Sequence, residues 1–304
     1  MDRRNILKSV VLGAGLFTAS KAATAQSAKA DTQPGPYVRT RDGTMLFYKD
    51  WGSGKPVVFL HAWALPSDMW DYQMVSMSEQ GLRCVAYDRR GHGRSSVPAG
   101  GYDYDTLADD LATMLDRLDL KEVTLVGYSM ASGEMVRYLT RHGAARIARL
   151  AFIAPAATPF LLKTADNPNG IPAEKFEYFR RNMLMRDYPK WLEDNRKPFF
   201  TAETSPQVQD WVRGLMLTTS LKAAVECNRS STSTDFRAEL PKIRLPALVI
   251  HGDIDASAPL ALTGRPTAAL IPGAELKVYE GAPHGLFVTH KERLTADLLA
   301  FATL

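Results

Sequence analysis

Short apolar runs recur along this chain with helical patterns between them, and that alternation predicts its architecture. The runs Tyr37–Thr40, Met45–Lys49, Pro56–His61, Cys84–Tyr87, Val123–Gly127, Leu150–Ile153, Ala247–His251 and Leu276–Tyr279 are rich in β-branched and aromatic residues and read as strands. From the third onward they are almost uniformly apolar, as strands covered on both faces must be. Helical patterns over Tyr104–Leu118, Met130–Arg141 and His290–Phe301 separate them. This implies an α/β fold: a mostly parallel central sheet with right-handed crossovers and helices on both faces. One long segment, 158–239, interrupts the alternation with helical signals, aromatics, methionines and mixed charge, and is read as a helical cap over the carboxyl edge of the sheet. The core is then 36–157 with 240–304, preceded by a flexible segment, 26–35.

A chain of 304 residues with 45% hydrophobic content can fill one large core. Its formal charge of +4 is concentrated in the segment 1–25, where Arg3, Arg4, Lys8 and Lys21 stand against Asp2 alone. What remains, about +1, gives no reason to expect nucleic acid as a partner. That segment has a basic start, an apolar stretch from Ser9 to Ser20 too short to span a bilayer, and small residues at Ala23-Thr24-Ala25. It reads as an export signal cleaved after Ala25. The sequence Asp2-Arg-Arg-Asn-Ile-Leu-Lys8 resembles a twin-arginine signal, which implies the twin-arginine export machinery as a partner and a periplasmic or secreted protein. An ordinary secretory signal or an uncut anchor is the alternative. Two cysteines exclude a disulfide framework, and Cys84 in a strand with Cys227 in a helical region predicts two separately buried thiols. The cap's Arg180, Arg181, Arg186, Lys190, Arg196 and Lys197 alternate with acids and read as a solvated outer surface.

The candidate chemistry sits where strands break. Gly127-Tyr-Ser129-Met-Ala131 puts a serine at an abrupt change from strand to helix, with small residues two before and two after it. Such a turn thrusts the hydroxyl into a cleft, and bulky neighbours would collide with the adjoining strand and helix. A serine N-cap is the plainer reading of the same residue. As a nucleophile, serine needs a base to take its proton and a carboxylate to fix the base's tautomer. The strand Ala247–His251 breaks into an acidic turn offering Asp253 and Asp255, and the last strand leads to Gly281-Ala-Pro-His284-Gly, a turn-rich loop that can carry the base. The order Ser, Asp, His suits this architecture. No histidine pair has the one-turn spacing of a helical metal site, so no metal is expected. Oxyanion donors should come from the backbone N–H after the nucleophile, Met130, and from the loop after the third strand, with Trp63 N–H favoured and its indole walling the pocket.

The motifs His61-Ala-Trp63, Tyr87-Asp-Arg-Arg-Gly-His-Gly-Arg-Ser-Ser96, Gly127-Tyr-Ser-Met130, Gly133-Glu-Met-Val-Arg-Tyr138 and Ala282-Pro-His-Gly285 resemble the bacterial cofactor-free haloperoxidases, or perhydrolases, and their arylesterase relatives in the α/β-hydrolase fold. The resemblance runs from about Tyr37 to the C-terminus and includes Leu162-Lys-Thr and Asn167-Pro-Asn-Gly170 of the cap. It implies Ser129 as nucleophile, His284 as base and, from His-Gly-x-x-Asp with Pro259 four residues on, Asp255 rather than Asp253. It also implies an acyl-enzyme resolved by water, or by hydrogen peroxide to a peracid that oxidises halide, and it makes Asp88–Ser96 structural. Trp63, Phe160, Ser257, Ala258 and Leu286 are the candidate pocket wall. Three alanines depart from the family: Ala62 and Ala131 replace glycines, and Ala64 stands where peroxidase-type members often carry proline, which weakens the case for peroxide. The expected function is hydrolysis of small or aryl carboxylic esters. Lactone or carbon–carbon bond hydrolysis, or a catalytically silent ligand-binding fold, are the alternatives, and the oligomeric state is left open, a homo-oligomer included.

Overall fold

The computed structural model describes residues 35–156 and 161–304. The expected signal, its cleavage site and nearly all of the segment 26–35 lie outside the described residues, as do 157–160. Eight strands form one sheet: β1 (Tyr37–Arg39), β2 (Met45–Trp51), β3 (Pro56–Leu60), β4 (Arg83–Tyr87), β5 (Val123–Tyr128), β6 (Ile147–Ile153), β7 (Ala247–Gly252) and β8 (Glu275–Tyr279). Their order is β1-β2-β4-β3-β5-β6-β7-β8. β1 and β2 pair antiparallel, as do β2 and β4, and every later pairing is parallel. All eight apolar runs are strands, with β6 beginning earlier, at Ile147, than its densest apolar stretch.

Parallel neighbours need crossovers, and the helices supply them on both faces. The helices are α1 (Asp71–Glu79), α2 (Tyr104–Arg117), α3 (Ala131–His142), α4 (Ala173–Phe179), α5 (Met185–Asp194), α6 (Arg196–Phe199), α7 (Pro206–Met216), α8 (Leu221–Ser233), α9 (Gly264–Leu270), α10 (Leu286–Thr289) and α11 (Lys291–Thr303). Leu107, Leu111, Met135 and Val136 of α2 and α3 pack on one face of the sheet with Leu125 and Phe152. Met74 and Met77 of α1 and Leu294 and Leu298 of α11 pack on the other with Val126 and Ile250. Each large apolar side chain so buried contributes roughly 1.5–3 kcal/mol. That double cover explains why every residue of β5 and β7 is buried.

The described part of 158–239 is built of α4 to α8, as its helical signals predict. It is not a uniformly solvated surface: Arg180 is only 8% exposed, because it turns inward to partners on α8. Cys84 and Cys227 are both buried and free. The parallel run of strands brings the carboxyl ends of β3, β5, β7 and β8 to one edge of the sheet, so the four segments that carry the candidate chemistry emerge together.

Candidate active site

Ser129 is the first residue of the two-residue corner between β5 and α3, at φ 54°. That left-handed backbone costs a non-glycine residue about 1–2 kcal/mol, and residues held in it gather at functional sites. The corner is closed by Ser129 N–H donating to Ile153 O at 2.9 Å and Ser132 N–H to Ser129 O at 3.2 Å. Gly127 is required by contact: a Cβ there would lie 2.3 Å from Met135 Sδ and 3.2 Å from the Ala131 backbone. Ala131, in place of glycine, is fully buried at the start of α3.

The corner aims the hydroxyl at His284, whose Nε2 lies 3.1 Å from Ser129 Oγ. On the far side of the ring, Nδ1 lies 2.7 Å from Asp255 Oδ2. Asp255 Oδ1 accepts from the backbone N–H groups of Ser257 and Ala258 at 2.9 and 2.8 Å. Burial alone would raise the pKa of this carboxyl. The charge interaction with His284, hydrogen bonds from His251 and His284 and the Ala258 N–H outweigh burial and hold it below the usual carboxylate range. Ionised Asp255 thus fixes Nδ1 as the protonated nitrogen and leaves the Nε2 lone pair facing the hydroxyl, the arrangement for general-base catalysis. Asp253 serves the loop instead. Its Oδ1 accepts from Gly281 N–H at 2.7 Å, fastening the segment that carries His284.

The backbone N–H groups of Trp63 and Met130 take no hydrogen-bond partner within the described residues. Ser129 O, on the same peptide as the Met130 N–H, accepts from Ser132 N–H at 3.2 Å, Ser132 Oγ at 2.5 Å and Ala156 N–H at 3.3 Å, which holds that peptide still, and Tyr104 Oη anchors the next one by donating to Met130 O at 2.9 Å. The Trp63 loop is held from behind. Arg89 donates to His61 O at 3.1 Å and forms a buried ion pair with Glu134 on α3 at 2.7 Å, so one guanidinium ties the loop to the helix that follows the nucleophile. Tyr87 Oη also bonds Glu134. Arg89 lies in the segment read as structural, whereas Glu134 and His251 escape the sequence reading. A lone acid in an otherwise small and apolar first helical turn is the sequence signal for Glu134; His251 Nε2 lies 2.7 Å from Ala258 O and 3.3 Å from Asp255 Oδ2, which only the strand end reveals.

Ser129, His284, Trp63 and Met130 open onto one cavity of about 570 Å³. The cap covers it with aromatics, among them Phe179, Trp191 and Phe199. Of the other candidate wall residues, Ser257 lines the cavity. Ala258 and Leu286 do not: both are buried in the interior, Ala258 because its backbone is drawn onto Asp255 and Leu286 because it starts α10 facing the core. Phe160 lies outside the described residues. The Trp63 indole lines the cavity and also donates from Nε1 to Ala224 O of α8 at 2.8 Å.

An activated hydroxyl, an imidazole with a fixed tautomer and two free backbone donors above a parallel sheet define a serine-hydrolase type of site. The sequence model of the alpha/beta hydrolase fold matches residues 55–291, and the chain belongs to that family. It is 42% identical over 273 residues to a non-heme chloroperoxidase of Kitasatospora aureofaciens, covering 88% of this chain and 98% of the relative. It is 37% identical over 274 residues to a bifunctional esterase/perhydrolase of Acinetobacter calcoaceticus, covering 87% and 98%. Among solved structures, an esterase from Exiguobacterium antarcticum superposes with a TM-score of 0.85 at 31% identity, covering 89% of this chain and all of that one (100%).

Proposed function

We propose that this protein is a serine hydrolase that cleaves small or aryl carboxylic esters through an acyl-enzyme on Ser129. The observation that carries the reading is the Ser129–His284–Asp255 hydrogen-bonded chain facing a cavity with the Trp63 and Met130 N–H groups free. His284 Nε2 takes the serine proton as Oγ attacks the ester carbonyl, and the developing oxyanion is met by the two N–H groups, each of which contributes about 10²–10³ in rate at such sites. The imidazolium returns the proton to the leaving alcohol. Water, activated by the same nitrogen, then releases the acid. Hydrogen peroxide at that second step gives a peracid, which oxidises halide in solution; the chloroperoxidase and perhydrolase relatives support this as a side activity. Turnover of p-nitrophenyl acetate with and without peroxide tests both steps. Ser129→Ala should lower hydrolysis at least ~10³-fold and abolish peracid formation, and unchanged turnover would overturn the assignment.

We also propose that the segment 1–25 directs export by the twin-arginine route, supported by its paired arginines, short apolar stretch and small-residue end. Replacing Arg3 and Arg4 with Lys should retain the protein in the cytoplasmic fraction, and export that survives the change would sink that route.

A further inference from the structure

The cavity has a second polar wall that takes no part in the proton relay. Asn228, Ser231 and Thr232 line it, three residues that α8 presents on one face because they recur at spacings of three and four. Behind them lies buried Arg180, whose Nη1 donates to Asn228 Oδ1 at 3.1 Å and to Thr232 Oγ1 at 3.2 Å. Its Nε and Nη2 donate to Glu177 Oε2 at 3.2 and 3.1 Å. Arg180 is the first residue of a π-helical turn, Arg180–Leu184, between α4 and α5. Such turns are rare and concentrate at functional sites.

A guanidinium has donors only, so it decides how the amide of Asn228 sits: Oδ1 faces Arg180, and Nδ2 is left with two donors and no partner within the described residues. The hydroxyl protons of Ser231 and Thr232 are already donated to Asn228 O, at 3.1 and 2.8 Å. Arg196, which also lines the cavity, donates to Gln209 Oε1 at 2.7 Å and pairs with Asp210 at 2.9 Å, and Arg213 pairs with Glu193 at 3.2 Å without a hydrogen bond from its Nε. Asn228 Nδ2 is therefore a fixed donor without an acceptor, in a wall otherwise dominated by aromatic and aliphatic side chains. Leaving such a donor unpaired in a closed complex is costly, and that cost is what turns a polar group into a discriminator.

We infer that Asn228 determines specificity, and that the substrates are esters bearing a hydrogen-bond acceptor oxygen, ketone or carboxylate, remote from the scissile carbonyl. The inference rests on the hydrolase reading above. Lys175, exposed on α4 and also lining the cavity, would add attraction for the carboxylate form.

The test compares ethyl octanoate, ethyl 7-oxooctanoate and monoethyl suberate, three acyl chains of equal length, by acid release in the wild type and in Asn228→Asp. The Asp keeps an oxygen for Arg180 but replaces the donor with an acceptor. The ratio of kcat/KM for the oxo ester to that for the alkyl ester should fall about tenfold, the worth of one hydrogen bond; Asn228→Leu should lower it similarly and decides the matter if the Asp variant does not fold. A larger drop for the suberate monoester than for the oxo ester in Asn228→Leu, which adds no repelling charge, identifies the anionic acceptor as the preferred one. Ratios that stay within about twofold in the folded variant overturn the inference. Turnover of all three esters that survives Ser129→Ala would instead overturn the hydrolase reading.

Discussion

Beside each free oxyanion donor stands a residue in left-handed backbone: Ser129 at φ 54° before Met130, and Ala64 at φ 61° after Trp63. Ala64 bears on the acyl acceptor, because the resemblance places proline at this position in peroxidase-type enzymes. A proline ring holds φ firmly negative and also restricts the residue before it. This loop, as it runs here, cannot hold a proline at 64 without moving Trp63 and its N–H. Ala64→Pro should therefore lower hydrolysis of p-nitrophenyl acetate at least tenfold by displacing a donor. Ala64→Gly, which adopts the same φ without strain, should stay within about twofold of the wild type. A proline variant as active as the wild type would show that the left-handed turn is not what positions Trp63.

The strands and the nucleophile corner are legible in the sequence because their signals are local: uniform apolar runs for double burial, and small residues flanking a serine for a tight turn. What sequence leaves open depends on direction. Asp253 and Asp255 are two residues apart in one turn, and only the end of β7 shows that one faces the loop of Gly281 and the other faces His284. Ala258 and Leu286 read as cavity wall because they neighbour site residues in the chain, yet their side chains point into the core. In the cap, alternating charges read as a solvated face and do not reveal the π turn that begins at Arg180, a buried residue. The same limit hides how the cap meets the histidine loop. Gly285 has an ordinary φ of −83°, so its glycine is not demanded by conformation. It is demanded by approach: Gly285 N–H donates to Phe199 O at 3.0 Å, and a Cβ would lie 2.2 Å from that oxygen. Gly285→Ala should push the Phe199 segment and the His284 loop apart, costing about 1–3 kcal/mol of stability and about tenfold or more in kcat. Urea midpoints and kinetics that both match the wild type would mean that this contact does not seat the cap.

At the scale of the whole molecule, the network behind the oxyanion loop ties stability to pH. His61 and His92 are buried with ring centroids 4.9 Å apart, beside Arg89. Burial first, and then the positive charge of Arg89, hold both below the usual histidine range, His92 at about 3. The hydrogen bonds agree with neutral rings: His61 Nε2 accepts from Arg89 N–H at 2.8 Å, and His92 Nε2 is buried without a partner, where a second proton would be orphaned. The unfolded chain protonates His92 near 6.5 while the folded protein does not, so between about 3 and 6.5 the unfolded state binds more protons and stability falls as pH falls; His61 acts in the same direction. From pH 7 to pH 5 that loss is about 2 kcal/mol for His92. Asp255 and Asp42, both held below the usual carboxylate range, lose their contributions only at lower pH. Asp110, which burial pushes up to about 6 against its hydrogen bonds from Arg90, runs the opposite way within this window. Comparing two proteins over the same interval cancels that term. His92→Asn stays neutral and keeps a donor for Arg90 O, so its unfolding free energy in urea should fall by about 2 kcal/mol less than that of the wild type between pH 7 and pH 5. Equal losses in the two proteins would mean that His92 is protonated in the native state and that the core behind the oxyanion loop admits a charge.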